Sequence, residues 1–69
     1  MAGTAGVALS PRQHEVLVLM SRGVRAREIA AELGVTQTTA RNHIRDVLRR
    51  LDCHSQLEAV ARARQCRLL

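Results

Sequence analysis

Between Thr36 and Arg50 the chain reads TQTTARNHIRDVLRR, a run rich in side chains that form hydrogen bonds of fixed geometry. An arginine guanidinium offers two parallel N–H donors that match O6 and N7 of guanine, and an asparagine amide matches N6 and N7 of adenine in the same way. Threonine hydroxyls and free backbone N–H groups at a helix start suit phosphate oxygens. Spacing decides whether such groups can act together. On a helix of about 100° per residue, Arg41, Arg45 and Arg49 fall within about 60° of Thr38, with Asn42 on the same side. Ala40, Ile44, Val47, Leu48 and Leu51 fall between about 180° and 280° from it. One face is built to enter a core, and the other is a basic stripe three turns long, flanked by Thr39 and Arg50. A merely solvated face mixes signs, with acids placed to pair bases at i,i+4. This stripe contains no acid. Asp46 lies to its side, near Arg49 and Arg50.

The surrounding sequence supplies elements to hold that helix. Thr36 is a good N-cap, so the helix is expected over 37–51. Before it, AREIAAEL places Ile29, Ala30 and Leu33 at helical spacing and predicts a short helix over 26–33, ended by Gly34 in the left-handed conformation. A short helix, a turn of three residues and a helix carrying the basic stripe make a helix-turn-helix. Upstream, SPRQ reads as a helix start: Ser10 and Gln13 form a capping box and Pro11 suits the first helical position. That helix is expected over 11–22, with Val16, Leu17, Leu19 and Met20 facing inward and Gly23 stopping it. Downstream, SQLE is a second capping box, Ser55 with Glu58, opening a helix over 56–67. Two positions run against these rules. Arg25 stands where a cap residue belongs, a loss of typically ~1 kcal/mol, and Asp52 stands where glycine or asparagine fits more easily. The expected fold is therefore all-α, four helices joined by loops of two to four residues, preceded by a flexible tail over residues 1–6. The domain itself is expected over 7–69.

Composition narrows the function classes. The chain has 69 residues, enough for one small domain; such a domain buries only about 60% of its unfolded surface. It has no aromatic residue, so the core must be aliphatic. All eleven of its Lys and Arg residues are arginines, and the net charge is +5, a balance that favours polyanionic partners. Cys53 and Cys66 lack metal-ligand spacing, and Cys53-His54 is too few ligands for zinc, so no metal and no cofactor is expected. The three histidines form no catalytic constellation with Cys, Ser or Asp, and an enzyme is not expected. No apolar run reaches the ~18 residues of a membrane span, and no signal peptide is visible, so a cytoplasmic, nucleoid-associated location is expected. CRLL formally matches a prenylation box, but Arg67 fits it poorly.

Three segments, LSPRQHEVLVLMSRG, EIAAELGVTQTTARNHI and LRRLDCHSQLEAVARA, together resemble the LuxR-type (NarL/FixJ-type) DNA-binding domain of bacterial transcription regulators. The resemblance covers about Leu9 to Leu69. It implies a tetrahelical domain that binds double-stranded DNA with helices two and three as the helix-turn-helix, and a homodimer through helix four. Carried over by position, Arg41, Asn42 and Arg45 sit where family members touch base edges. Thr36, Thr39, Arg27 and Arg50 sit at or near phosphate positions, and Thr38 and Arg49 of the stripe join them. His43 matches a His of the family's NH pair and is expected at the DNA backbone or the edge of the core. Glu15 matches an acid of the first helix, expected to be structural. The chain departs from the pattern at Arg25-Ala26, where Ser-Asn is usual, at Ala40 for a larger Val, at Asp52 for Gly and at Arg41 for Lys.

On a helical wheel of 56–67, Ala59, Val60 and Ala63 form one apolar side, and Leu57, Ala61, Arg64 and Leu68 form a second stripe. Two apolar sides imply two burials, so the second stripe is expected at a two-fold partner. The competing possibility is that Leu57 and Leu68 fold back on the first helix. A competing function from another class is a helical protein-interaction module that contacts the transcription machinery, such as RNA polymerase, without binding specific DNA. The acid-free stripe argues against it. A basic peptide on an anionic membrane lacks the bulky apolar face that interfacial helices use.

Overall fold

The computed structural model describes residues 8–69; the tail expected over residues 1–6 lies outside them. Four α-helices account for the regular structure: α1 (Pro11–Ser21), α2 (Ala26–Leu33), α3 (Gln37–Arg50) and α4 (Gln56–Gln65). No strand occurs among the described residues, and the all-α architecture is the expected one.

Each helix starts on the residue read as its cap, although the chemistry differs. At α1 the box is complete: Ser10 Oγ accepts the Gln13 N–H at 3.1 Å, and Gln13 Oε1 accepts the Ser10 N–H at 2.9 Å. At α3, Thr36 Oγ1 accepts the Thr39 N–H at 3.1 Å. At α4, Ser55 Oγ accepts the Glu58 N–H, but the Glu58 carboxylate does not close the expected box. It reaches one residue further, to the His54 N–H at 2.8 Å, on a side chain that also faces Arg62 at 4.0 Å. At α2 only half a box exists. Glu28 Oε1 accepts the Arg25 N–H at 3.0 Å, and the Arg25 guanidinium, which carries no acceptor, returns nothing.

All four helices end in one motif. The residue after the last turn adopts a positive φ, its N–H bonds a carbonyl three residues back, and the next N–H bonds one five residues back. The positive φ falls at Gly23 (78°), Gly34 (70°), Asp52 (56°) and Arg67 (59°). The closing bonds are Val24 N–H to Leu19, Val35 N–H to Ala30, Cys53 N–H to Leu48 and Leu68 N–H to Ala63, between 2.8 and 3.3 Å. Two glycines adopt this conformation without a Cβ penalty; Asp52 and Arg67 adopt it against one. The last of these turns also ends α4 at Gln65, two residues short of the expected end, and folds the following chain back toward α1.

The core is aliphatic and α3 is its centre, packing on α1, α2 and α4. Val16 and Leu17 of α1, Ile29 of α2, Ala40 and Val47 of α3, and Ala59 and Ala63 of α4 are wholly buried. The alanines among them, Ala40, Ala59 and Ala63, take core positions in a chain without aromatic rings. Ala40 in particular is sealed from solvent. No polar or charged residue is buried among the described residues. Val18 is half-buried on α1.

One polar bridge ties α4 to the end of α3. Arg62 Nη1 donates to the Leu51 carbonyl at 3.1 Å, eleven residues away, and the Cys53 thiol donates to the same oxygen at 3.3 Å. The last carbonyls of a helix carry its negative dipole end, so a guanidinium there is favourable.

Candidate nucleic-acid interface

The stripe is built as its spacing implied. Ala40, Ile44 and Val47 of α3 are buried, while Thr38, Arg41, Asn42, Arg45, Arg49 and Arg50 are exposed on the remaining surface. Arg41, Asn42 and Arg45 are thus free to approach another molecule together. Arg41 Nη2 makes a long bond of 3.5 Å to Gln37 Oε1, one turn back, which steadies the side chain without neutralising it. Gln37 was absent from the residues singled out by sequence; its i,i+4 spacing to Arg41 is the signal that could have found it.

The threonines divide the work differently from the expectation. The Thr36 hydroxyl accepts the Thr39 N–H and donates its own proton to Thr39 Oγ1 at 2.9 Å. Its proton is engaged by the Thr39 hydroxyl. The half-buried Thr39 hydroxyl receives that bond and keeps a proton to give outward. Thr38 is exposed beside it. His43 is half-buried at the border between the stripe and the core face.

At the far end of α3, Arg49 Nη1 lies 3.6 Å from Asp46 Oδ1, a pair with both side chains well exposed. Asp46, Arg49 and Arg50 line a small recess with Gln13 of α1. Asp46 therefore offsets part of the charge at this end, whereas Arg41 and Arg45 face no acid within ion-pair distance among the described residues. At the near end, Arg27 is exposed on the first turn of α2 and shares an open groove of about 480 Å³ with Arg25, Ala26, Glu28, Gln37 and Arg41. Arg27 of α2 and Arg41 of α3 thus lie on one surface.

The second expected stripe does not hold together. Leu57 is 83% exposed, and Ala61 and Arg64 are exposed beside it. Leu68 leaves the stripe: α4 has ended before it, the turn at Arg67 sends it inward, and it packs against the domain's own core. His14 Nε2 meets the Leu68 carbonyl at 2.9 Å and holds the tail to α1. The fold-back alternative is therefore met for Leu68 and not for Leu57. Leu57, Val60 and Arg64 line a shallow groove with Met20 of α1 and Val24 of the turn that follows it.

Glu15 is exposed and, among the described residues, pairs only with Arg12, at 3.8 Å. Both cysteines are free thiols, Cys53 buried and Cys66 half-buried. Burial pushes the Cys53 thiol above its ordinary pKa, against the nearby Arg62 charge, which lowers it. No group of three or more His, Cys, Asp or Glu able to hold a metal occurs among the described residues, and none of the described helices is long and apolar enough to cross a membrane.

Residues 7–63 match the model of the family described as bacterial regulatory proteins, luxR family. The chain is 37% identical over 57 residues to the transcriptional regulatory protein DesR of Bacillus subtilis, covering 83% of this chain and 29% of that protein. It is 37% identical over 60 residues to the transcriptional activator protein CarR of Pectobacterium carotovorum, covering 87% of this chain and 25% of that protein. It is 30% identical over 60 residues to the nitrate/nitrite response regulator protein NarL of Escherichia coli, covering 87% of this chain and 28% of that protein. The chain thus spans between a quarter and a third of the relatives' lengths. The match takes in all of α1 to α3 and most of α4, and on this ground the chain belongs to the luxR family of bacterial regulatory proteins, its four helices being that family's helix-turn-helix domain.

Proposed function

We propose that the domain binds double-stranded DNA in a sequence-specific manner and serves a bacterial transcription regulator, with α3 in the major groove. The observation that carries this reading is the acid-free face of α3, where Arg41, Asn42 and Arg45 stand exposed opposite a buried apolar face. A helix fits the major groove, and these side chains match base edges there. Arg41 and Arg45 read guanine and Asn42 reads adenine. Thr38, Thr39, Arg27, Arg49, Arg50 and His43 hold phosphates on either side, with Thr36 contributing through its backbone because its hydroxyl is taken. The relatives' names, a transcriptional regulatory protein, a transcriptional activator and a response regulator, agree with this role.

The domain pairs on DNA as a homodimer through α4, with Leu57, Ala61 and Arg64 at a two-fold contact. Leu57 supports this, since an 83% exposed leucine on an ordered helix lacks a partner within the domain. The patch is small, so paired half-sites drive the association. The regulator works in the cytoplasm, at the nucleoid. A module that contacts RNA polymerase in place of DNA is the second reading; the basic stripe that favours DNA disfavours it.

Selection from a random duplex library tests the proposal. A defined half-site should emerge, occurring in pairs, and binding should fall with salt at a log–log slope on the order of −7 to −11 for a dimer making about four to six phosphate contacts per subunit. Arg41→Ala or Arg45→Ala should lose roughly 1–3 kcal/mol per half-site and relax the preference at one base pair. A selection without enrichment, or an Arg41→Ala variant that weakens binding while keeping the same preferred bases, refutes this assignment.

A further inference from the structure

The groove between the starts of α2 and α3 holds three guanidinium groups, Arg25, Arg27 and Arg41, and one carboxylate, Glu28. That carboxylate is engaged: its Oε1 accepts the backbone N–H of Arg25 at 3.0 Å. Arg25 and Arg27 are both exposed, and the guanidinium of neither has a hydrogen-bond or ion-pair partner among the described residues. The groove is open to solvent, about 480 Å³, and Arg41, across it on α3, belongs to the face assigned to base edges. Arg25 is also the residue that leaves α2 without a side-chain cap, although its backbone is extended, at φ −82° and ψ 164°, as a cap residue requires. A serine there would satisfy a backbone N–H of α2 that the guanidinium cannot accept from.

We propose that Arg25 and Arg27 together clamp one backbone phosphate of double-stranded DNA in this groove, and that Arg25 forgoes the helix cap for that contact. The inference rests on the DNA-binding reading and deepens it by adding a phosphate-contacting residue at a position where the sequence rules ask for Ser, Thr, Asp or Asn. The phosphate accepts from two forks at once, on the side of the groove away from α3, which leaves Arg41 free for guanine. A contact of this kind positions the domain and carries no sequence information.

The clamp makes stability and binding move in opposite directions in one variant. Arg25→Ser should raise the melting temperature by about 4 °C through the restored cap. The same variant should bind every duplex about fivefold more weakly, with unchanged base preference, and the magnitude of its log–log salt slope should fall by ~0.9 for each lost contact. Arg12→Ser, which removes one positive charge from α1 outside the groove, serves as the control and should leave the slope as it is. Wild type, Arg25→Ser and Arg12→Ser are compared on one selected duplex and one scrambled duplex. The proposal is overturned if Arg25→Ser keeps the wild-type slope, if its loss is no greater than that of Arg12→Ser, or if it melts lower than wild type. A wild-type domain that binds neither duplex overturns the DNA reading itself, and the clamp with it.

Discussion

Asp52→Gly should stabilise the domain by about 1 kcal/mol. Asp52 is exposed, follows the last turn of α3 and sits at φ 56°. Left-handed backbone costs an ordinary L-residue roughly 1–2 kcal/mol, and Asp somewhat less because its short polar side chain bonds locally. Glycine removes that penalty but has more unfolded-state freedom to lose, roughly 0.5–1 kcal/mol. A second contribution has the same sign as the gain. The Asp52 carboxylate lies at the negative end of the α3 dipole, where an acid is unfavourable by roughly 0.3–1 kcal/mol, and the exposed Arg49 and Arg50 screen it only in part. The sum is about 1 kcal/mol, or roughly 4–8 °C in Tm for a domain of this length. The backbone bonds around it, Asp52 N–H to Arg49 at 3.1 Å and Cys53 N–H to Leu48 at 2.8 Å, are kept by either residue. Thermal and urea unfolding followed by circular dichroism measure the difference, since the chain has no Trp or Tyr to report by fluorescence. Asp52→Ala is the companion variant: it removes the same charge and keeps the strain, so it should fall clearly short of the Gly variant. An Ala variant as stable as the Gly variant would sink the conformational argument and leave only the charge.

Gly34→Ala should destabilise by about 1–2 kcal/mol in the same assay even though an added Cβ would meet nothing within 4 Å, because φ +70° alone carries the cost; an unchanged Tm would show that α2 can end another way. Leu57→Asp should keep the Tm of a dilute monomer and lose cooperative binding to paired half-sites, whereas a large fall in monomer stability would place Leu57 in the core. Stability should decline as pH rises above about 9: burial holds the Cys53 thiol protonated in the folded state while the unfolded thiol ionises at its ordinary pKa, so the contribution is complete below that pH and is lost above it. The chain contains no Lys and no Tyr, and Cys53→Ala should flatten the decline. An alkylating reagent should modify half-buried Cys66 well before buried Cys53, as mass spectrometry of the partly labelled protein would show; equal rates would contradict the packing of Cys53.

Helical periodicity made α3 legible because its two faces differ in residue type at every turn: the positions buried in the structure were the aliphatic ones, and the exposed basic ones included Arg41, Arg45 and Arg49. The caps at Ser10 and Thr36 were legible because their bonds are made within four residues. What escaped was set by the turns. Leu68 was placed on a helical wheel, but α4 ends at Gln65 and a positive φ at Arg67, which no arginine advertises, turns Leu68 inward. The i,i+4 spacing of Glu58 and Arg62 was readable; the reach of Arg62 to the Leu51 carbonyl was not, because it depends on the path of the chain through Asp52 and Cys53. Hydroxyl direction escaped too. Thr36 and Thr39 look equivalent as donors until one is seen to spend its proton on the other.

The repeated helix ending bears on how quickly the molecule assembles. Each of the four helices bonds carbonyls of its last turn within its own next three residues, so no helix waits for a distant segment before it can stop. The polar links between helices, Arg62 to Leu51 and His14 to Leu68, add to units already closed at both ends. Chains whose contacts are mostly local fold in microseconds to milliseconds, because little loop-closure entropy must be lost before contacts form. Stopped-flow mixing should therefore find refolding near or beyond its dead time. A domain closed off helix by helix in this way regains its shape from short-range contacts on that timescale.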